Sequence, residues 1–159
     1  MEEHLRLAIC MWHTFCWSGQ DIFGEGTFDR PWLAIADPMQ RAHAQLEAAF
    51  EFIDKLGIRY YTFHDRDVSP EGNNIQEFKS NLFSIAEKMA RQMEDKKIKL
   101  LWGTANLTNH RRYMAGAATN PDPEVFAYTV AQVKQTFDVT HQLKGCLLYT
   151  SDAADEGLG

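Results

Sequence analysis

The stretch "EFIDKLGIRYYTFHDRD" (Glu51–Asp67) contains the end of a helix, a strand and a cluster of charges. Gly57 suits the position just after a helix, because glycine readily adopts the left-handed backbone conformation that ends many helices. The following run, "RYYTF" (Arg59–Phe63), is rich in aromatic residues and typical of a strand. At His64 the sequence becomes charged. The stretch therefore predicts a helix that leads into a strand whose carboxyl end presents polar side chains.

The same alternation of strand, loop and helix occurs three times along the chain. Asp37 and Asp122 each precede a proline, a pair that suits the N-cap and the first helical position. A further helix is predicted from about Asn74 to Lys96, and Gly145 is predicted to end the last one. Two helices carry apolar stripes at spacings of three and four: Met39, Ala42, Leu46, Ala49, Phe50, Ile53 and Leu56 in one, and Ile75, Phe78, Leu82, Ile85, Met89 and Met93 in the other. The strands, predicted at Leu5–Cys10, Arg59–Phe63 and Ile98–Trp102, complete an α/β pattern with a parallel sheet.

Composition narrows the class of protein and its partners. The 159 residues favour one domain. A net charge of −6 argues against a nucleic-acid partner, because proteins that bind the phosphate backbone usually carry a basic face. Three cysteines without a CxxC pair favour a reduced, cytoplasmic compartment. No apolar run approaches the length of a membrane span, so no membrane partner is expected.

The loops that follow the strands hold the candidate chemistry, because ligands of parallel sheets bind at the carboxyl ends of the strands. His64 and Asp67 are the first candidates, since a nearby carboxylate can fix the tautomer of an imidazole and raise its basicity. On the residues alone, the alternative that His64 only caps the strand stays open. Asp65 and Arg66 are interpreted as a charge pair or a solvated turn. The basic segment 110–112 is interpreted as a solvated loop.

Three further patterns bear on function. "WHTFCW" (Trp12–Trp17) is either core packing or an aromatic wall for a sugar or another ring. "GEG" (Gly24–Gly26) is not a dinucleotide fingerprint, because Asp29 stands where the third glycine belongs. No spaced set of histidine, cysteine and carboxylate residues predicts a metal site, so no residue is assigned as a metal ligand.

Five motifs in order resemble xylose isomerase of the longer bacterial type. They are "MWHTFCW", "GTFDRPW", "AAFEFIDKLGIRYYTFHDRDVSPEG", "LLWGTANL" and "GAATNPDPEVFAYTVAQVKQ", and the resemblance runs from about His4 to Gly145. It implies a (β/α)8 TIM barrel, of which this chain supplies about the first three βα units. It also implies an aldose–ketose isomerase that interconverts D-xylose and D-xylulose with two divalent ions (Mg, Mn or Co), as a homotetramer.

The resemblance also implies roles for single residues. His64 would assist the opening of the cyclic sugar, and Asp67 would orient and polarise His64. Trp12 would wall the substrate pocket, Thr104 would lie in the substrate-side loop, and Phe23 would reach into the pocket of a neighbouring subunit. Metal ligands, a lysine near the substrate and a second pocket tryptophan are implied to come from later strands. We therefore expect this chain to be inactive by itself.

Some positions depart from the family pattern. Thr108 and Arg111 stand where family members usually have phenylalanine and proline. After Gly145, the string "CLLYTSDAADE" resembles the translated read-through of a sequencing adapter. We expect a partial barrel over residues 1–145 and a non-native tail over 146–159, with an authentic divergent tail as the alternative. Three units would leave an unpaired edge on the third strand and apolar helix faces exposed.

Two other functions stay open on the sequence. One is a non-catalytic fragment that binds a sugar or a protein partner through the strand-end loops. The other is a different barrel of the sugar-isomerase or epimerase kind. The His64–Asp67 pair argues against the first, since simple binding does not need a histidine with a carboxylate behind it.

Overall fold

The computed structural model describes residues 6–145 and 147–148 of the chain. Within them, three short helical turns lie between the regular elements, at Trp12–Cys16, Pro31–Ala34 and Arg111–Tyr113. None of the helices in this part of the chain has the length and apolar character that a bilayer crossing needs. In chain order the regular elements are β1 (Ala8–Cys10), α1 (Pro38–Lys55), β2 (Tyr60–His64), α2 (Asp65–Val68), α3 (Ile75–Lys96), β3 (Lys99–Thr104), α4 (Pro123–Gln142) and β4 (Leu147–Leu148).

The strands form one parallel sheet in the order β1-β2-β3-β4, which confirms the predicted parallel α/β arrangement. β2 and β3 end one and two residues later than predicted, so that His64 and Thr104 are their last residues and pair in register. The prediction of an unpaired edge on β3 was wrong at Trp102 and Gly103, which pair with the two residues of β4. Cys146 and residues 149–159, most of the predicted tail, lie outside the described residues.

The helix starts follow the predicted capping residues. Asp37 Oδ1 accepts the N–H of Gln40 at 2.7 Å, and Asp122 Oδ1 accepts the N–H of Glu124 at 2.9 Å. In both helices a proline occupies the first turn, where its missing N–H costs no hydrogen bond. These side chains satisfy N–H groups that a helix leaves without partners.

The helix ends match less well. Gly57 follows α1 with a φ of 68°, as predicted for a residue that reverses the chain there. α4, however, ends at Gln142 rather than at Gly145. The left-handed residue after it is Lys144, with a φ of 54°. The prediction that glycine would end this helix was therefore wrong.

Tyr61 and Phe63 on one face of β2 form the centre of the core. Both are fully buried, and the ring of Phe50 in α1 lies 5.1 Å from that of Tyr61. The hydroxyl of Tyr61 also lies 3.2 Å from Met93 Sδ in α3. Most residues of the two predicted apolar stripes are buried in this core or pack against it. Leu56 is 53% exposed, so the prediction that it belongs to the buried stripe was wrong.

Gly103 lets α4 approach the sheet closely. A β-carbon at this position would lie 2.5 Å from Thr140 Oγ1 and 2.8 Å from Phe63 Cζ, both in fully buried residues. Real β-carbons do not come that close to such atoms. The missing side chain therefore sets the distance between β3 and α4.

Side chains alternate across a strand, so residues that flank Phe63 and Gly103 point to the other face of the sheet. On that face lie Thr62 and His64 of β2 and Trp102 of β3. The described helices make their core contacts on the opposite face. This second face brings the polar strand ends together with an indole ring.

Candidate active site

His64 and Asp67 form a hydrogen-bonded pair at the carboxyl end of β2. Nδ1 of His64 lies 2.9 Å from Oδ2 of Asp67, and the same oxygen accepts the backbone N–H of His64 at 2.7 Å. The pair forms because β2 passes directly into the single turn of α2, which places residue 67 over residue 64. The Asp67 side chain is only 3% exposed and that of His64 is 22% exposed. A buried carboxylate thus supports a partly accessible imidazole.

The turn that carries Asp67 is held from outside the strand. The backbone oxygen of Asp67 accepts a hydrogen bond from Gln45 Nε2 of α1 at 3.0 Å. Cys16 Sγ, in the helical turn after β1, lies 3.4 Å from the same oxygen. Two neighbouring elements therefore fix the backbone of α2.

Two tryptophans flank the histidine. The ring centroid of Trp12 lies 6.3 Å from that of His64 and the centroid of Trp102 lies 5.5 Å from it, both edge-on. Trp12 is 50% exposed. Indole faces pack well against the C–H face of a sugar ring. The imidazole therefore lies beside two indole rings that could pack against such a ligand.

The pKa of His64 is raised above its ordinary value of 6.5, chiefly by the hydrogen bond to Asp67. Burial acts in the opposite direction, because it disfavours the charged ring. In the neutral ring, a proton on Nδ1 that is donated to Asp67 leaves Nε2 unprotonated. Nε2 is then the atom able to take a proton from a ligand.

Replacing Asp67 with asparagine is expected to bring the pKa of His64 below 6.5, because burial then acts without the carboxylate. A raised histidine pKa stabilises the fold below pH 6.5, and this contribution is lost as pH rises through the folded-state value. The loss of stability in Asp67→Asn is therefore larger in acid than in base. NMR titration of His64 and urea unfolding at several pH values measure both effects. Asp54→Asn, on the exposed side of α1, is the matched control; an unchanged His64 pKa in Asp67→Asn would contradict the assignment.

The interpretation of Asp65 and Arg66 as a charge pair or solvated turn was wrong. Asp65 is fully buried, and Arg66 instead pairs with Glu71 at 2.7 Å. Both oxygens of Asp65 accept hydrogen bonds, among them one from Gln132 Nε2 at 2.7 Å. Burial raises the pKa of Asp65 to about 6.

The basic segment 110–112 is only partly the solvated loop that was predicted. Arg111 is exposed, but Arg112 forms an ion pair with Glu71 and its guanidinium lies 3.7 Å from the centroid of the Tyr128 ring. His110 Nε2 is 3.8 Å from the same Glu71 carboxylate. Glu71 therefore links this loop to the segment after α2.

The predicted site residues are only partly brought together. Trp12 lies against His64, and Thr104 is its register partner on β3, 1% exposed. Phe23 instead extends from the loop after β1 and is 90% exposed. Sequence reasoning missed Trp102, although its spacing of two from Thr104 places both residues on one face of a strand.

The carboxylates of the described residues are not arranged to bind a metal ion. No group of three or more histidine, cysteine or carboxylate residues in ranges 6–145 and 147–148 is arranged to hold a metal ion. Asp65 has both oxygens engaged by donors, and Asp67 Oδ2 is engaged by His64. These carboxylates therefore do not fit the role of metal ligands.

The described residues define a class of protein: a parallel α/β unit with a histidine–carboxylate pair and an aromatic wall at the carboxyl ends of its strands. Such a site suits acid–base chemistry on a small polar ligand. Comparison with known proteins gives the particular family that the chain resembles. It is 58% identical over 145 residues to the xylose isomerase of Paraburkholderia xenovorans, 56% to that of Pseudomonas syringae pv. tomato and 53% to that of Marinomonas sp..

Each of these matches covers 91% of this chain, which confirms the resemblance to xylose isomerases. The chain spans 33% of the length of these relatives. No family model matches it.

Proposed function

We propose that this chain supplies the ring-opening part of a xylose isomerase active site, in a whole protein that interconverts D-xylose and D-xylulose. The observation that carries the proposal is the 2.9 Å contact between His64 Nδ1 and Asp67 Oδ2, beside Trp12 and Trp102. It occurs in a chain that is 51–58% identical to proteins named xylose isomerase.

His64 is the proposed acid–base group. Its Nε2 takes the proton of the sugar's C1 hydroxyl while the bond between C1 and the ring oxygen breaks. The imidazolium then delivers that proton to the ring oxygen, which becomes a hydroxyl, so that a cyclic aldose becomes an open-chain aldehyde. Asp67 stabilises the imidazolium and holds the ring in the required tautomer. Trp12 and Trp102 pack against the apolar side of the sugar.

Further properties follow from the family resemblance and are part of the proposal. The whole protein would be a (β/α)8 barrel that works as a homotetramer in the cytoplasm, with exposed Phe23 completing a neighbour's pocket. It would use two divalent ions (Mg, Mn or Co). Since the described carboxylates do not fit as their ligands, other residues would bind the ions, and no step proposed here passes through them.

The proposal is tested with a chimera in which residues 4–145 replace the matching segment of the Paraburkholderia xenovorans xylose isomerase. At 58% identity the segment is expected to fold in that context and to support xylulose formation from xylose with Mg²⁺ or Mn²⁺. The chain alone is expected to show no turnover. A folded, metal-loaded chimera without activity would overturn the proposed role, and turnover by the isolated chain would overturn its dependence on the remaining protein. The unaltered parent enzyme is the reference.

A further inference from the structure

Asp65 is a buried carboxylate next to His64 in the chain, and the four donors described for its oxygens lie outside the proposed sugar site. Its Oδ1 accepts the backbone N–H groups of Arg66 at 2.7 Å and of Asn106 at 2.8 Å. Its Oδ2 accepts Gln132 Nε2 at 2.7 Å and Thr136 Oγ1 at 3.3 Å. Four donors from α2, the segment after β3, and α4 thus converge on one side chain.

Gln132 of α4 extends this network. Its Nε2 also donates to the backbone oxygen of Asn106 at 3.0 Å, and its Oε1 accepts the hydroxyl of Tyr113 at 2.5 Å. Gln132 is 3% exposed and Tyr113 is 7% exposed. Both polar atoms of the buried Gln132 amide group therefore form hydrogen bonds within the protein. Its three partners, Asp65, Asn106 and Tyr113, fix the orientation of the amide group.

The network lies just beyond the two strand ends that carry the site. His64 pairs in register with Thr104. Asp65 follows His64 by one residue, and Asn106 follows Thr104 by two. The hydrogen bond that the N–H of Asn106 donates to Asp65 therefore joins the end of β2 to the end of β3, and Gln132 of α4 donates to both residues. Trp102, whose ring packs on His64, is on the same β3 strand.

A carboxylate buried this completely is costly to desolvate, and the cost is offset only when its hydrogen bonds are nearly complete. Apolar residues of similar volume would fill the same space without that cost. What a hydrogen-bonded network adds is a fixed direction and distance between the elements it joins. Here those elements are the two strand ends and α4.

We propose that Asp65 and Gln132 are positioning residues of the ring-opening site: their buried network holds the ends of β2 and β3 together and so sets the placement of His64 against Trp102. The inference rests on the proposed function for its catalytic meaning, because His64 is the group being placed. The placement of the His64 ring in the folded chain can be measured without catalysis.

The charges around this network are few. The titratable neighbours of Asp65 on its own segment are His64, Arg66 and Asp67. Asn106, Gln132 and Thr136 from the other elements are neutral, and Tyr113, which donates to Gln132, is titratable. Changing Asp65 itself would alter the pKa of His64 through charge alone, since Asp65 contributes to raising it. Gln132 is the better test, because its replacement removes no charged group. It does remove a hydrogen bond that lowers the pKa of Asp65, so the contacts between the His64 and Trp102 rings are the deciding readout.

The test compares Gln132→Met with Gln142→Met in the full 159-residue chain. Methionine keeps the length of the side chain and removes its hydrogen bonds, and Gln142 lies on the exposed end of the same helix. In Gln132→Met, NMR is expected to show weaker contacts between the His64 and Trp102 ring protons. The pKa of His64 is also expected to fall, because its hydrogen bond to Asp67 becomes longer. Gln142→Met should leave both readouts unchanged.

If Gln132 has only a structural role, the Gln132→Met variant unfolds at lower urea concentration, but the contacts and pKa of His64 in its folded form equal those of the unaltered chain. That result would overturn the proposal. If Gln132→Met does not fold, Thr136→Val is read in the same way with smaller changes. It removes the hydroxyl that lies 3.3 Å from Asp65 Oδ2 and 3.0 Å from the backbone oxygen of Gln132. Neither readout needs sugar or turnover. An inactive chimera with these NMR changes would therefore overturn the proposed function alone, and an active chimera without them would overturn the positioning role alone.

Discussion

Replacing Gly103 with alanine is expected to lower the free energy of unfolding by about 3 kcal/mol, at the upper end of the usual cost of overpacking a core. The new β-carbon would lie 2.5 Å from Thr140 Oγ1 and 2.8 Å from Phe63 Cζ. Neither neighbour can give way freely. The Thr140 hydroxyl donates to the Thr136 backbone oxygen at 2.8 Å, and the Phe63 ring lies in the fully buried core.

Urea unfolding of the alanine variant and of the unaltered chain measures the difference. Gly24→Ala is the matched control, because no atom lies within 4 Å of the position that its β-carbon would take. That variant should unfold within about 0.5 kcal/mol of the unaltered chain, as surface substitutions usually do. Equal stability of the Gly103 and Gly24 variants would show that α4 does not lie on β3 as described.

Replacing His64 with glutamine in the active chimera is expected to reduce kcat by about 10²–10⁴-fold, the range in which a positioned acid–base group contributes. Glutamine keeps a hydrogen-bonding side chain but cannot take up a proton near neutral pH. The loss should be smallest when the sugar is supplied already in its open-chain form, because that substrate does not need the step assigned to His64.

The control for this variant is His141→Gln, on the exposed last turn of α4. Its kcat should stay within about twofold of the chimera's, since it touches no part of the site. A His64→Gln enzyme as active as His141→Gln on the cyclic sugar would remove His64 from the mechanism. A uniform loss on cyclic and open-chain sugar would indicate a role in a later step.

Local signals in the sequence were sufficient for much of the fold. Asp37 with the following proline gave the start of α1, and Gly57 gave the residue after its end. The pair of His64 and Asp67 was also accessible, because the chemistry depends on a spacing of three residues inside one turn. Each of these predictions depends on a few neighbouring residues whose conformations are nearly determined by their own side chains.

The features that were missed depend on contacts between distant segments. Asp65 and Gln132 are separated by 67 residues, and their contact depends on the packing of α4 against the sheet, where Gly103 allows a close approach. Without that packing, Asp65 in a charged run is indistinguishable from a solvated residue. Trp102 was missed for a related reason: its place beside His64 depends on the pairing of β2 and β3, whose register shifts between Tyr61 and Thr62.

The left-handed residues after α3 and α4 form a third group. Lys97 and Lys144 both have a positive φ, a conformation that sequence analysis assigns to glycine or asparagine. Both lysines adopt this conformation although it costs a residue with a β-carbon more than it costs glycine. Gly145, one residue later, was the natural but wrong choice.

The strands of the sheet lie side by side in the same order as they occur in the chain. During synthesis on a ribosome, each strand therefore emerges when its partner has already been made, and no other strand of the sheet lies between the two in the chain. Assembly can proceed from the amino end by adding one strand at a time, without waiting for remote sequence. In this order of assembly, the open edge of each newly added strand is covered by the next strand to be synthesised.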